Sequence, residues 1–509
     1  MRVNSQKRWI ICGILLTMIN VALIWVFRFL PMYDYPIWLF EVKVLQELVA
    51  ATGAFSDYYK ILPLPVPNLG FLVPVWGLSH AVPVEVAGKL FLSLCVAGFP
   101  WSFWYCVRAL SDDPNSGMAW LGFPYSFNLF IFGGHAYLLG ISMAQFAIGY
   151  FLPRILNLSR AQLVVLSTIY LSLYLVHALA FCVTALILVA ATFAFGNWKK
   201  SFRMLVVLIP SAGAAFWYVI DYPFLPAMPS HWGLWTIAQN LLKPTLLLTK
   251  SYGILSPVPL TLVNVMWCIG IGGLFLWRFL STLQKGTLNK PLIFVAVLFL
   301  CGIIFFPDPF LGITQPGSRL TLPLILVCAL LVGKRASPRG LIPTLLMVTF
   351  LVSLHNLDYF RRVDKQMSEM FEEYVSSADV NKSFIVIRLD WPAASGLRDV
   401  VSASINPLFG VPYYAHLQGT GWGGIHETSL LQVREEHVDY ALRFSGETPD
   451  DLAASVGLAS EGMKKSANVT IVGRNNATDR TETVLQTWGF RVRHKGSLWT
   501  ILQHLPEGP

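Results

Sequence analysis

Arg28-Phe-Leu-Pro-Met-Tyr-Asp34-Tyr-Pro36-Ile-Trp38-Leu-Phe-Glu41 is the stretch on which the reading of this chain turns. It continues an apolar run, residues 9–30, that is long enough to cross a bilayer, because about 20 residues cover a hydrocarbon core of about 30 Å. Arg2, Lys7 and Arg8 are expected to hold the N-terminus in the cytoplasm, so that Asp34 emerges on the far side. Pro36 forbids simple continuation of the helix and favours an extended Tyr35. Beyond it, Ile37, Leu39, Phe40, Val44 and Leu48 are spaced as in a helix lying along the membrane surface. Glu41 follows Asp34 by seven residues, so the two share a face only if the helix reaches back to Asp34. A carboxylate fixed just outside a span, among aromatics, can serve as a base; the plainer alternative is a solvated loop aspartate.

The chain has 509 residues, of which 55% are hydrophobic and 13% charged, with mean hydropathy +0.57. Soluble proteins carry about 25% charged residues, so this composition is that of a polytopic membrane protein with a soluble part attached. The net charge of +9 sits in short loops between apolar runs, which is a topology signal and not a nucleic-acid-binding stripe. The first run is too long for a signal-peptide core and lacks a small-residue cleavage site; it reads as a retained span. All seven cysteines fall in apolar runs without metal-ligand spacing, and the tail has none. Small buried hydrophobes, and no disulfide framework, are expected.

Residues 69–81 are too short to span comfortably and read as an interfacial helix ahead of a span over 86–108. Further apolar runs cover about 117–132, 136–153, 162–176, 178–195, 202–220, 259–279, 291–306, 320–333 and 341–355, giving about eleven crossings. With a cytoplasmic start, the loops holding Arg108, Arg154 and Arg160, Lys199 and Lys200, Arg278 and Lys285, and Lys334 and Arg335 all fall inside. A crossing at 69–81 would invert that pattern from Arg108 onward. The expected fold is therefore mainly α: a transmembrane helical bundle over 1–355, with a first outer loop at 31–85. A soluble extracytoplasmic α/β domain is expected over 356–509, with strands near 383–389 and 469–472 and a hairpin around Lys495-Gly496.

No HExxH, GxSxG, P-loop or Cys/His metal cluster is present. Polar residues instead collect on the outer side, each at the end of a span. Asp34 follows the first; His135 lies in Gly-Gly-His-Ala-Tyr137; His177 interrupts Leu175-Val-His-Ala-Leu; Arg319 follows Pro316-Gly-Ser. Taken singly, the histidines read as hydrated interfacial residues and Arg319 as a snorkelling cation. Yet a helix N-terminus is a poor place for a cation, and a guanidinium there suits a phosphate needing a bidentate partner.

This arrangement resembles the GT-C superfamily of integral-membrane glycosyltransferases. The resemblance rests on Asp34 in Tyr33-Asp-Tyr-Pro36, the interfacial helix and span, the His177 turn and Pro316-Gly-Ser-Arg319, and covers about residues 1–355. Many members carry two adjacent acids at the first motif, whereas here Tyr35 follows Asp34 and Glu41 is the nearest second acid. The resemblance implies an inverting transfer of a sugar from a polyprenyl-phosphate-linked donor to an acceptor on the outer side of a bacterial inner membrane. Asp34 would be the general base and Arg319 the donor-phosphate ligand. His135 and His177 would line the pocket, and Glu41 would orient the acceptor or a divalent metal. The competing class is a non-catalytic scaffold or transporter of envelope glycan assembly; transporters more often hold charges at mid-membrane, and these spans are nearly free of acids.

The alternating cations make a direct topological prediction. In a background lacking the native cysteines, a cysteine at Ser318 should react with an impermeant thiol reagent from outside, and one at Ser337 should not. The reverse pattern would remove Asp34 from the outer face.

Overall fold

A computed structural model of the chain describes residues 2–32, 34–51, 54–62, 65–111, 116–127, 134–194, 202, 205–221, 267, 269–277, 280, 290–305, 316–332, 340–378, 383–388, 411–417, 431–433, 467–472, 482–483, 485–487, 489–495 and 499–504. Residues 222–258 and 307–315 of the expected outer loops, and residues 259–266, 268, 278 and 279 of the run between them, lie outside these residues.

Helix α1, Arg2–Val26, is the first apolar run. It stops at Val26, short of the expected Leu30, because the backbone that follows has other partners. Lys89 Nζ donates to the Phe27 carbonyl at 2.6 Å, and the Phe29 N–H donates to Asp364 Oδ1 at 2.7 Å. Pro31 also disfavours a helical Leu30. Residues 27–32 thus form a strap, with Phe29, Leu30 and Met32 buried, whose polar groups are satisfied by tertiary contacts instead of by a helical ladder.

Helix α2, Tyr35–Ala50, starts at once beyond the strap. Pro36 falls in its first turn, where a missing N–H costs nothing, and Ala51 ends it in the left-handed region at φ 51°. The expected membrane-surface helix is corrected here. Tyr35 to Val42, Val44 and Leu45 are all buried, so no broad face meets water. Phe40 packs edge-on against Phe55, Phe384 and Tyr413 at ring separations of 5.9, 5.5 and 6.0 Å. Lys43 Nζ donates to the His416 carbonyl at 3.2 Å. The tail, folded over α2, supplies Phe384, Tyr413 and His416, and periodicity within residues 35–50 contains no trace of that cover.

Strand β1, Tyr59–Ile61, leads to the short helix α3, Leu72–Leu78, which fits the interfacial reading, and then to α4, Val84–Leu110. The return from α4 differs from expectation. Residues 117–125 form a 3-10 run, Gly117–Tyr125, in place of an α-helical span. Gly122 lies so close to α4 that a Cβ would meet Phe103 Cβ at 2.7 Å. The close approach requires the glycine, and Pro124 removes a donor from the run. Then follow α5, His135–Phe151; α6, Arg160–Val176, opened by a Ser159/Gln162 capping box; α7, Ala178–Ala194; α8, Ile209–Asp221; α9, Lys290–Phe305; and α10, Pro316–Val332. Helix α11, Leu341–Ser377, runs unbroken across residue 355, where the membrane part was expected to end.

Among the described residues, Gln6–Val26, Val84–Leu110, His135–Arg154 and Leu341–Ser377 are long and apolar enough to cross a membrane, and four shorter apolar helices accompany them. Large apolar side chains stay exposed along α1 (Ile11, Leu15, Met18) and α9 (Phe294, Val297), as a bilayer-covered surface requires. Buried polar groups pair inside: Ser353 Oγ donates to Asn20 Oδ1, and Ser102 Oγ to Gln145 Oε1, both at 2.6 Å. Contacts of Phe27 with Lys89 and of Thr17 with Trp101 make α1 and α4 antiparallel. Asn20–Ser353 and Phe29–Asp364 make α1 and α11 parallel. Cys182 and Cys301 are exposed on apolar helices, unlike the buried Cys95 and Cys106.

The tail supplies β2, Ser383–Arg388; the buried short helix α12, Val411–His416; β3, Leu431–Val433; β4, Ala467–Val472; β5, Phe490–Lys495; and β6, Trp499–His504. Four strands form a sheet ordered β2-β4-β6-β5, with β2 and β4 parallel and the expected β5–β6 hairpin antiparallel. Strand β3 leaves the tail to pair antiparallel with β1 of the first loop.

The strap makes a stability prediction. Asp364→Ala strands the Phe29 N–H and should destabilise the protein by about 1–3 kcal/mol, while Asp364→Asn, which keeps an acceptor oxygen, should lose less. Equal melting temperatures for wild type and Asp364→Ala in detergent would show that the strap is held otherwise.

Candidate active site

The site is built where helices begin. His135 opens α5, Ala178 opens α7 directly after His177, and Arg319 lies in the first turn of α10. Arg319 Nη1 is 2.9 Å from His177 Nε2. Tyr137, also in the first turn of α5, donates its hydroxyl to the Arg319 carbonyl and sets its ring against that of His177 at 5.1 Å. Three helix N-termini therefore meet around one guanidinium. Each contributes a partial positive charge of about half a unit, so the pocket attracts anions through its backbone as well as through Arg319. Burial holds the His177 imidazole well below its ordinary pKa, and Arg319 and then His135 push it in the same direction. His177 is a neutral ring.

His135 is buried in an aromatic box. Phe71 lies at 4.6 Å, Phe91 at 6.0 Å, Trp38 at 6.3 Å and Tyr35 at 6.4 Å, between ring centres. Tyr35 and Trp38 belong to the start of α2, which brings a fourth helix N-terminus to the pocket. The Tyr35 hydroxyl is raised well above its ordinary pKa by burial, then by Tyr414 and Glu85, so it stays protonated.

Asp34 is the N-cap residue of α2, and its carbonyl accepts from Trp38 N–H at 3.0 Å. The helix thus reaches back to Asp34, which satisfies the condition for Asp34 and Glu41 to share a face. Asp34, Trp38 and Glu41 fall on one stripe, with Trp38 between the two acids and about 10 Å of helical rise separating them. Asp34 makes no side-chain cap hydrogen bond, its backbone lying at φ −85°, ψ −15° instead of in the extended region usual for a cap. Asp34 itself is half-buried. Glu41 is fully buried.

Asp34 therefore adjoins Tyr35, Tyr35 and Trp38 adjoin His135, and His177 is bonded to Arg319. Glu41 sits deeper, two turns into α2. The first-loop backbone fixes the His177 turn from outside: Leu69 N–H donates to Leu175 O at 2.7 Å and Gly70 N–H to Val176 O at 3.2 Å. A Cβ at Gly70 would meet that Val176 carbonyl at 2.7 Å, so the approach requires glycine. Sequence reading passed over Tyr35, Trp38, Phe71 and Gly70. The i, i+3 spacing of Tyr35 and Trp38 is a usable signal for the first two, whereas the 69–70 clamp has none. Among the described residues no group of three His, Cys, Asp or Glu side chains could hold a metal ion, so the metal that Glu41 would orient has no described ligand set.

Apolar outer faces, internally paired polar groups and a cationic pocket at the helix starts define a helical membrane protein with a small C-terminal sheet. No known sequence family matches the chain, and no curated protein does. Among solved structures it is similar to the mycobacterial arabinofuranosyltransferase AftD, with TM-score 0.45 and 12% identity over 98% of this chain. The chain spans 40% of the length of that protein.

The neutral His177 carries a pH prediction. Its folded pKa lies below the unfolded value of about 6.5, so the unfolded chain binds the proton more readily, and stability is lost as pH falls below about 6.5. His177→Gln should show a shallower loss of melting temperature between about pH 7.5 and pH 5 than the wild type. Parallel curves would mean that His177 titrates alike in both states.

Proposed function

We propose that this chain is a membrane glycosyltransferase that moves a sugar from a polyprenyl-phosphate-linked donor to an acceptor on the extracytoplasmic side. The observation that carries this reading is the Arg319–His177 pair at three converging helix starts. A cation is disfavoured at the first turn of a helix; an anionic ligand relieves that conflict, and a lipid phosphate reaches such a site sideways from the bilayer. The exposed apolar helix faces favour a lipid-borne substrate over a soluble one.

In this reading Arg319 binds the donor phosphate in bidentate fashion and stabilises the charge that grows on it as the glycosidic bond to phosphate breaks. Asp34 accepts the proton of an acceptor hydroxyl whose oxygen attacks the anomeric carbon from the opposite face, which inverts the configuration. His135 and the rings of Tyr35, Trp38 and Phe71 wall the space between acid and cation. Glu41 orients the acceptor end through the α2 stripe. The division into a membrane part over 1–355 and an outer domain over 356–509 belongs to the same reading: the tail covers α2 from the acceptor side.

Asp34→Asn tests it. This variant keeps size and hydrogen bonding but removes the base, so it should fold, bind donor and lose transfer by at least about 10²-fold. The assay uses membranes with a lipid-linked sugar pool and an acceptor screen. Wild-type transfer by Asp34→Asn would move the base to Glu41; no transfer by wild type with any donor would favour the non-catalytic scaffold.

A further inference from the structure

We infer that His177 is locked in the tautomer that carries its proton on Nδ1, and that this N–H is the donor the pocket holds ready for an anionic oxygen of the phosphate ligand. The inference rests on the phosphate reading of the site and specifies which atom of which neutral residue joins Arg319 in binding it.

The geometry leaves one assignment. A guanidinium has five N–H donors and no acceptor, so the 2.9 Å contact between Arg319 Nη1 and His177 Nε2 requires a lone pair on Nε2. A neutral ring with its lone pair on Nε2 carries its proton on Nδ1. A cationic ring would point an N–H of its own at Arg319. His177 is 8% exposed, and its Nδ1 has no hydrogen-bond partner among the described residues. A buried donor left unmade costs about 1–3 kcal/mol, and native proteins keep few of them. The ring stands among the first turns of α5, α7 and α10, with Tyr137 against its face. Its Nδ1 is thus enclosed by backbone that already favours negative charge. A neutral N–H suits this position better than a second cation, because it adds a directed hydrogen bond without repelling Arg319. Among the described residues the groups facing the ring are Arg319 from α10 and His135 and Tyr137 from α5.

The test is nitrogen NMR of the full chain, labelled with ¹⁵N-histidine and held in detergent micelles, with His177→Gln assigning the signal. The probe is geranyl phosphate, a short prenyl monophosphate. The two ring nitrogens of a neutral histidine resonate far apart, so the free protein should show a protonated Nδ1 and a bare Nε2. Geranyl phosphate should shift Nδ1 and leave Nε2 bare. His177→Gln keeps an acceptor oxygen near the Nε2 position but has no donor at Nδ1, and should bind the probe about tenfold or more weakly. A proton on Nε2, or an Nδ1 signal that ignores a probe whose binding Arg319→Ala abolishes, would overturn the inference while leaving the phosphate reading in place. Binding that survives Arg319→Ala unchanged, or no binding at all, would remove the phosphate reading and this inference with it.

Discussion

The pinned strap between α1 and α2 is the constraint on which the rest of the molecule depends. Two hydrogen bonds on either side of Arg28, Lys89 to the Phe27 carbonyl and the Phe29 N–H to Asp364, come from helices of opposite direction. They end α1 early, turn the chain within residues 27–32 and deliver it to α2 with Asp34 at the turn. Buried backbone groups must be paired. Had they been paired within a longer α1, Asp34 would have been carried further along the span axis and away from the start of α5.

Helix α2 then acts as a partition. Its Trp38 looks to the bundle, where it meets His135. Its Phe40 and Lys43 look the other way, to Phe384, Tyr413 and the His416 carbonyl. His416 itself is stacked on Phe384 at 4.0 Å and bonded to Tyr374 at 3.1 Å. Helix α11 joins both sides, since it contributes Ser353 inside the bundle and Tyr374 beneath the tail. The β1–β3 pairing adds a backbone connection between first loop and tail. The bundle and the tail therefore meet opposite faces of one helix.

The cationic pocket follows from chain direction as much as from residue identity. Helices α5, α7 and α10 each present an N-terminus at the same place, and an isolated N-terminus binds anions weakly. Convergence adds their fields at a single point, in surroundings where burial strengthens electrostatics. The pocket's only ring-to-guanidinium bond among the described residues, His177 to Arg319, sits at that point.

By itself the sequence determined that the chain is a helical membrane protein, because runs of about 20 apolar residues admit few other folds. It also singled out Asp34, His135, His177 and Arg319, since a polar residue at the edge of an apolar run stands out against its neighbours. The β5–β6 hairpin was legible from local pattern for the same reason. Tertiary structure alone decided where α1 ends, because Lys89 and Asp364 lie far along the chain from the carbonyl and N–H they satisfy. It decided that α2 is enclosed and not laid on a surface, since the rings that cover Phe40 come from residues 384 and 413. It also decided that residues 117–125 run as a 3-10 segment, through the close approach of Gly122 to Phe103. Periodicity records which face of a segment is apolar; it carries no record of which distant segment will cover it.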